Sequence, residues 1–184
     1  MKVVNLFGGP GVGKSTLACD LFSFMKKRGD NVELVTEYAK DMVYEGRDNI
    51  LNDQLYILAK QNRRLARLAE SGVEWAVTDG PLPLGLVYGA AESFPLVQMI
   101  MECYSKYDNF NFFLERSKFV DYQPEGRVQQ TVEEALVKDL EIWNTLEAFQ
   151  IKFIRFRVGY DSAGTLAWDL GNMLKERQKE RPGS

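Results

Sequence analysis

An α/β fold is predicted for this chain: three layers, α/β/α, around a sheet of five parallel strands. Short apolar segments alternate with amphipathic segments of helical periodicity along the whole chain, and a glycine-rich loop joins the first apolar segment to the first helix. Strands and helices that alternate in this way pair in parallel through right-handed crossovers, which puts helices on both faces of the sheet.

The order of elements can be read from these segments. Strands are predicted at residues 2–7, 31–37, 74–79, 110–115 and 152–158. Helices are predicted at residues 14–29, 48–72, 94–107, from 131 onward, and 162–178. Thr131 and Glu134 form the pattern of a capping box. We expect one domain over residues 1–178 and a frayed, charged tail at residues 179–184.

The composition limits the possible chemistry. The chain contains no histidine, which excludes a Ser-His-Asp triad, a histidine general base and the usual zinc sites. Cys19 and Cys103 form no CxxC pair, so we expect buried free thiols. The net charge of −3 provides no overall attraction to nucleic acid or anionic membranes.

The chain also lacks the pattern of a membrane span. No apolar run approaches the roughly 20 residues that cross a bilayer. The first strand leads directly into the glycine-rich loop, so removal of a signal peptide would remove the motif. We therefore expect a soluble, cytoplasmic protein without a membrane partner.

The clearest motif is GGPGVGKS, which matches G-x-x-x-x-G-K-[ST] through Gly8, Gly13, Lys14 and Ser15. A loop of this type curls its backbone N–H groups around phosphates at the start of a helix. We expect Lys14 to reach the β- and γ-phosphates of ATP and the Ser15 hydroxyl to ligate Mg²⁺. The loop residues predicted to bind the nucleotide are Gly8, Gly9, Pro10, Gly11, Val12, Gly13, Lys14, Ser15 and Thr16.

Further candidates lie where strands end, because parallel α/β sheets bind ligands at the carboxyl ends of their strands. Asp79 ends the third strand in the manner of a Walker-B acid. Glu37 ends the second strand, where it could orient or deprotonate an acceptor hydroxyl, or hold Mg²⁺ through water. Which acid is the base and which serves the metal stays open at this point. Tyr160, after the fifth strand, lies where an adenine ring could rest, although this segment could equally be a simple turn.

Residues 116–130 break the helical and strand periodicity and combine basic side chains with Pro124 and Gly126. Phosphoryl transfer requires cations around the moving phosphoryl group and the exclusion of water. A basic lid is therefore predicted here, with Arg116 and Arg127 as catalytic cations.

Other classes of phosphate-binding loop fit less well. A GTPase would carry an N-K-x-D motif, which is absent, and DSAG at residues 161–164 comes too late for a switch loop. A motor or AAA+ ATPase normally requires a longer chain with a lid domain and sensor residues. Partitioning ATPases begin their loop with an extra lysine, where this chain has Gly9 or its neighbours. Small nucleoside and nucleotide kinases remain.

The chain resembles P-loop kinases of the thymidylate-kinase type over nearly its whole length. Three segments resemble phage-encoded kinases that phosphorylate 5-hydroxymethyl-deoxyuridine in DNA: NLFGGPGVGKST, VELVTEYAKDMVYEGR and the GR-x-Q of EGRVQQ. This resemblance implies ATP with Mg²⁺ and a CH₂OH group on a base as acceptor. Many nucleotide kinases have Asp-Arg after the third strand, whereas Gly80 follows Asp79 here. The missing arginine weakens a monophosphate-kinase interpretation and favours a neutral acceptor hydroxyl.

The acceptor stays open between DNA and a small molecule. A base in DNA would have to leave the helix to be phosphorylated, and Lys60, Arg63, Arg64 and Arg67 could follow the DNA phosphates. The pI of 5.2 argues against strong nonspecific DNA binding. A free nucleoside, nicotinamide riboside or a deoxynucleoside monophosphate is the alternative acceptor. A regulatory, ATP-gated ATPase without an acceptor is the alternative of another class.

Overall fold

A sheet of five parallel strands forms the centre of the protein. The computed structural model describes residues 1–89, 93–116, 131–159 and 162–179, with side chains up to residue 174. The strands are β1 (Lys2–Phe7), β2 (Val32–Val35), β3 (Trp75–Thr78), β4 (Asp108–Glu115) and β5 (Ile154–Arg157). They pair in the order β2-β3-β1-β4-β5, so β1 lies between β3 and β4.

Helices cover both faces of this sheet. They are α1 (Lys14–Lys27), α2 (Tyr38–Tyr44), α3 (Gln54–Glu70), α4 (Leu84–Val87), α5 (Phe94–Ser105), α6 (Val132–Ala148) and α7 (Ser162–Lys179). A short 3-10 helix, Asp48–Asn52, lies between α2 and α3. On one face, α1 and α7 bury Leu21 and Leu170 in a shared core. On the other face, α3 and α5 bury Leu65 and Ile100.

The central strand β1 is buried on both faces, which explains its nearly continuous apolar sequence. Val4 and Leu6 belong to the core beneath α1 and α7, whereas Val3 belongs to the core beneath α3 and α5. Phe7, the last residue of β1, packs into a third cluster with Ile142 of α6. The glycine-rich loop therefore starts from the central strand of the sheet, between β3 and β4.

The predicted fold class is confirmed, with all five strands parallel and helices on both faces. The capping box is also present, since Thr131 Oγ1 accepts from the Glu134 N–H at 3.2 Å and Glu134 Oε2 accepts from the Thr131 N–H at 2.8 Å. Residues 180–184, most of the predicted tail, lie outside the described residues.

The single helix predicted at residues 48–72 is wrong, because the chain leaves the helical conformation at Asp53 (φ −88°, ψ 79°). The Asp53 carboxylate accepts a hydrogen bond from the Tyr56 N–H at 3.0 Å and so caps α3. Aspartate competes for backbone donors in this way and favours the N-cap over the helix interior. The 3-10 helix therefore ends at Asn52 and α3 begins at Gln54.

The two cysteines are free, but only Cys103 is buried. The prediction that both thiols are buried is wrong for Cys19, because Leu17, Ala18 and Leu21 form the face of α1 that packs on the sheet. Within the described ranges, no helix combines the length and apolar character needed to cross a membrane.

Candidate active site

The loop between β1 and α1 requires glycine at the positions where the motif has it. Gly8, Gly11 and Gly13 have φ values of 143°, 77° and 97°, in the region that side chains disfavour. A Cβ atom at Gly8 would also come within 2.8 Å of Val12 Cγ1. Gly13 is the N-cap of α1 and has no side chain to accept from the first turn of the helix. An anion can take that role at the positive end of the helix dipole.

Lys14 and Ser15, the first residues of α1, both lie at this loop. Lys14 Nζ donates to the carbonyl oxygens of Gly8 at 2.7 Å and Gly9 at 3.0 Å, so the ammonium group crosses the loop. Ser15 Oγ donates to Asp79 Oδ2 at 2.5 Å. The structure therefore brings the predicted hydroxyl and the predicted carboxylate at the end of β3 into direct contact.

The contact between Ser15 and Asp79 fits a nucleotide-bound Mg²⁺ ion. It offers one hydroxyl and one carboxylate oxygen, and Mg²⁺ is usually held by one or two such groups together with water and substrate phosphates. No group of three or more metal-binding side chains occurs among the described residues, as a dedicated protein cage would require. One hydroxyl and one carboxylate oxygen are the protein ligands expected for an ion that arrives with phosphates.

Glu37 is joined to Asp79 through its backbone. The Glu37 N–H donates to Asp79 Oδ1 at 2.8 Å, so both oxygens of the Asp79 carboxylate accept hydrogen bonds. Gly80 packs tightly here: a Cβ atom at residue 80 would lie 2.8 Å from Glu37 Cα and 2.9 Å from Glu37 Cβ. The close approach explains physically why glycine, rather than arginine, follows Asp79.

A cleft of about 430 Å³ runs from the loop towards α4. Its loop end is lined by Gly11, Gly13, Lys14 and Ser15, and Glu37 lines the cleft next to them, beside Asp79. Its opposite end is largely apolar and is formed by α2, the 3-10 helix, α3 and residues 80–88, through Val43, Tyr44, Leu51, Ile57, Leu58, Leu82 and Leu84. A mostly apolar pocket of a few hundred Å³ with a few polar groups is typical of small-molecule sites. One end therefore suits phosphates and the other suits a flat organic group.

Two glutamines in this cleft were not predicted from the sequence. Gln61 is 5% exposed, and its amide accepts from the Tyr38 N–H at 2.8 Å and donates to the Thr36 carbonyl at 3.2 Å. Gln54 is 8% exposed and donates to the Leu51 carbonyl at 2.6 Å. Gln61 thus fixes the start of α2 on α3. The signal that could have revealed it is its position three residues after Leu58 on the buried face of α3.

Tyr88 supplies a polar group to the lining of the cleft. Although Tyr88 is 38% exposed, the protein around its phenol removes water from it, and this burial raises the pKa of Tyr88 well above its usual range. The negative charges of Glu37, Glu141 and Asp139 act in the same direction. The Lys138 ammonium lies 5.0 Å from the ring centroid. Tyr88 is therefore a neutral hydrogen-bond donor at ordinary pH.

Arg116, predicted as a cation of the lid, lies against the glycine-rich loop and is held by several groups. Its Nε donates to Asp139 Oδ2 at 2.5 Å, and its Nη2 donates to the Pro10 carbonyl at 2.7 Å and the Ala135 carbonyl at 3.2 Å. Asp139 Oδ1 accepts from the Gly9 N–H at 2.5 Å. Arg116 and Asp139 together connect α6 with the loop. Sequence reasoning missed Asp139, which follows Arg116 by 23 residues.

The basic residues of α3 are largely engaged with neighbouring groups. Arg64 donates to the Thr36 carbonyl at 2.9 Å and forms an ion pair with Asp41. Arg63 pairs with Glu70 at 2.9 Å. These pairs neutralise part of the stripe that was predicted to follow DNA phosphates.

Two predicted site residues, Arg127 and Tyr160, lie outside the described residues, as does most of the predicted lid. The end of β5 nevertheless approaches the loop, since a Cβ atom at Gly13 would lie 3.7 Å from Val158 Cγ1.

The sheet order and the loop define a P-loop protein with a nucleotide-kinase-like fold. A family model described as "AAA domain" matches residues 3–162, and the chain belongs to this family. An AAA+ ATPase was expected to require a longer chain with a lid domain and sensor residues, yet the family to which this chain belongs is described as an AAA domain. Comparison with curated proteins gives no match.

Two solved structures are similar in fold. One is NadR in complex with NAD and AMP-PNP, with a TM-score of 0.66 and 20% identity over 91% of this chain and 48% of that chain. This chain thus spans about half the length of the NadR chain. The other is thymidylate kinase from Ehrlichia chaffeensis, with a TM-score of 0.57 and 13% identity over 94% of this chain and 98% of that chain. The predicted likeness to the thymidylate-kinase fold is confirmed.

Proposed function

We propose that the protein is an ATP-dependent kinase that transfers the γ-phosphoryl group of ATP to a hydroxyl of a nucleoside-type acceptor. The observation that carries this proposal is the continuity of the cleft. Lys14 and Ser15 line one end of the same cavity whose opposite end is apolar, and Glu37 lines it as well. A phosphate donor and an organic acceptor could therefore meet within one cleft, as phosphoryl transfer requires.

The hydrogen bonds of the two acids favour different roles for them. Asp79 accepts from Ser15 and from the Glu37 backbone, which suits the acid that holds Mg²⁺ together with Ser15. Mg²⁺ would supply charge neutralisation at the β- and γ-phosphates. Glu37 is the acid on the acceptor side in this proposal. Its carboxylate orients the acceptor hydroxyl and takes its proton.

The transfer itself exchanges one bond for another. The acceptor oxygen forms a bond to the γ-phosphorus while the bond from that phosphorus to the β–γ bridging oxygen breaks, and ADP leaves. Lys14 contacts the β- and γ-phosphates throughout. The apolar end of the cleft holds the base of the acceptor and excludes water that would otherwise hydrolyse ATP.

The preferred acceptor is the 5-hydroxymethyl group of 5-hydroxymethyl-deoxyuridine in DNA, in the context of phage DNA modification. This choice rests on the resemblance of the loop and of the segment around α2 to such kinases. The cleft volume of about 430 Å³ suits a single base that has left the DNA helix.

A free nucleoside such as nicotinamide riboside is the second candidate. The pairing of Arg63 with Glu70 and of Arg64 with Asp41 favours it, because a DNA substrate requires positive charge that is available for phosphates. A deoxynucleoside monophosphate is less favoured, because Gly80 stands where an arginine would bind the acceptor phosphate. The similarity to NadR, solved with NAD, is compatible with a small nucleotide-like acceptor.

A panel of acceptors tests these alternatives. The purified protein is incubated with ATP labelled at the γ-phosphate, Mg²⁺ and one of several acceptors: hydroxymethyluracil DNA, thymine DNA, free nucleosides including nicotinamide riboside, and monophosphates. Label on hydroxymethyluracil DNA but not on thymine DNA supports the preferred acceptor. Hydrolysis of ATP that no acceptor changes would instead support the regulatory ATPase and overturn the kinase proposal.

A further inference from the structure

Lys40 lies in the first turn of α2 and belongs to none of the predicted sites. Its side chain lines the cleft, and its Nζ donates to Ser15 Oγ at 3.4 Å. Ser15 in turn contacts Asp79. The Lys40 ammonium therefore lies beside the hydroxyl–carboxylate pair, on a helix that also contributes Val43 and Tyr44 to the apolar end.

The start of α2 is held firmly, so Lys40 extends from a fixed backbone. Gln61 accepts from the Tyr38 N–H at 2.8 Å, and Asp41 forms an ion pair with Arg64. Adjacent residues on a helix point in different directions, and here Asp41 contacts α3 while Lys40 enters the cleft. The contacts of Tyr38 and Asp41 with α3 therefore fix the position of Lys40 relative to Ser15.

Lys40 is one of the few cationic side chains near the phosphate end of the cleft. Among the described residues that line the cleft, Lys14 and Lys40 carry the positive charges. Lys14 lies across the loop, and Arg116 is held by Asp139 and the Pro10 carbonyl. Position 80 is closed to a long side chain by Glu37.

We propose that Lys40 contacts the γ-phosphoryl group of bound ATP from the acceptor side and stabilises it during transfer. This inference rests on the proposed function and adds a catalytic residue to it. The phosphoryl group moves away from ADP and towards the acceptor, with negative charge on its equatorial oxygens. A cation fixed on the acceptor side stabilises the phosphoryl group in transit more than it stabilises the γ-phosphate of bound ATP. Lys14 holds the phosphates from the loop side.

Nucleotide binding tests the contact without knowledge of the acceptor. Lys40→Met should weaken the binding of Mg²⁺–AMP-PNP by roughly tenfold or more, as expected for loss of a hydrogen bond to a charged group. Binding of Mg²⁺–ADP, which lacks the γ-phosphoryl group, should stay within about twofold of the wild-type value. Calorimetric titration of both nucleotides measures this difference. Lys40→Arg should retain most of the AMP-PNP affinity because it keeps the charge.

Lys26→Met is the matched control, since Lys26 pairs with Glu33 on the surface of α1. It should bind both nucleotides as the wild type does. Equal loss of affinity for AMP-PNP and ADP in Lys40→Met, or no loss for either, would overturn the proposal. Its failure is distinct from failure of the kinase proposal: a protein that phosphorylates no acceptor in the panel would still reveal whether Lys40 contacts the γ-phosphoryl group.

Discussion

The two ends of the cleft are built from the chain in different ways. The phosphate end consists mainly of one continuous segment, residues 8–16, with glycine conformations that allow almost no substitution. The acceptor end is assembled from α2, the 3-10 helix, α3 and residues 80–88, which meet only in the folded protein. The phosphate end depends on a few backbone positions, and the acceptor end on many side-chain contacts.

Mutations at the two ends should therefore have different effects. A change at the phosphate end should remove activity towards every acceptor, because all acceptors use the same donor. A change at the apolar end should alter which acceptor is used and leave nucleotide binding intact. The residues between the two ends, Glu37 and Lys40, should affect transfer more than binding of ADP.

The largest effect is expected from Lys14→Ala at the phosphate end. Transfer should fall on the order of 10³-fold or more, because no other described side chain at the loop can replace its contact with the β- and γ-phosphates. The melting temperature should change little, since Lys14 lines the cleft and its ammonium group bonds the loop carbonyls of Gly8 and Gly9. Transfer of labelled phosphate and thermal unfolding measure the two properties. Transfer at the wild-type rate would remove the P-loop kinase interpretation.

Glu37→Gln tests the boundary between the two ends. Loss of the carboxylate that orients and deprotonates the acceptor should lower the transfer rate by roughly 10²-fold. The affinity for ATP should stay within a few-fold, because the backbone N–H that contacts Asp79 is retained. Single-turnover transfer and nucleotide titration separate the two quantities. A large loss of ATP affinity with a normal transfer rate would place Glu37 at the phosphate end instead.

Asp79→Asn should change the requirement for metal. The concentration of Mg²⁺ that gives half-maximal transfer should rise by about 10- to 100-fold, because a neutral amide is a weaker ligand than a carboxylate. A titration of Mg²⁺ at saturating ATP measures it, and Asp20→Asn on the exposed face of α1 serves as the control. If Asp79→Asn had a normal Mg²⁺ requirement and Glu37→Gln a raised one, the roles of the two acids would be exchanged.

Arg116→Ala should have the smallest effect on transfer, roughly tenfold or less, through a loosened loop. It removes the guanidinium group from the largely buried Asp139 carboxylate, which keeps its hydrogen bond from Gly9, so the free energy of unfolding should fall by about 2–3 kcal/mol. Chemical denaturation checks the stability, and the double variant with Asp139→Ala should recover part of the loss. A 10³-fold loss of transfer with unchanged stability would instead support the catalytic role that the sequence predicts for Arg116.

The phosphate end could be predicted because its residues are adjacent in the sequence. The positions of the five strands along the chain, and of Asp79 and Glu37 close to strand ends, follow from apolar periodicity. The observed strand ends differ from the predicted ones by at most two residues. The contact between Ser15 and Asp79 is a consequence of β1 lying next to β3.

The acceptor end could not be predicted in the same way. Helix α2 has only seven residues, too few for periodicity to indicate whether Lys40 or Asp41 enters the cleft. Gln61 resembles a solvated residue of α3, and only the position of the Tyr38 N–H and Thr36 carbonyl gives it a partner. The Asp53 cap, which separates the 3-10 helix from α3, was not predicted, because leucines recur at near-helical spacing on both sides of it.

The close packing of Gly80 against Glu37 limits how this protein could acquire another acceptor. An arginine after Asp79 is the shortest route to binding an acceptor phosphate, and it requires a change at one residue. Here that change places a side chain within 3 Å of the Glu37 backbone, the start of the helix that carries Lys40. An evolving or engineered variant would therefore have to move α2 before the arginine could be useful. Under the proposed function, the choice of acceptor in this protein depends on backbone packing at Gly80 as well as on the residues that contact the substrate.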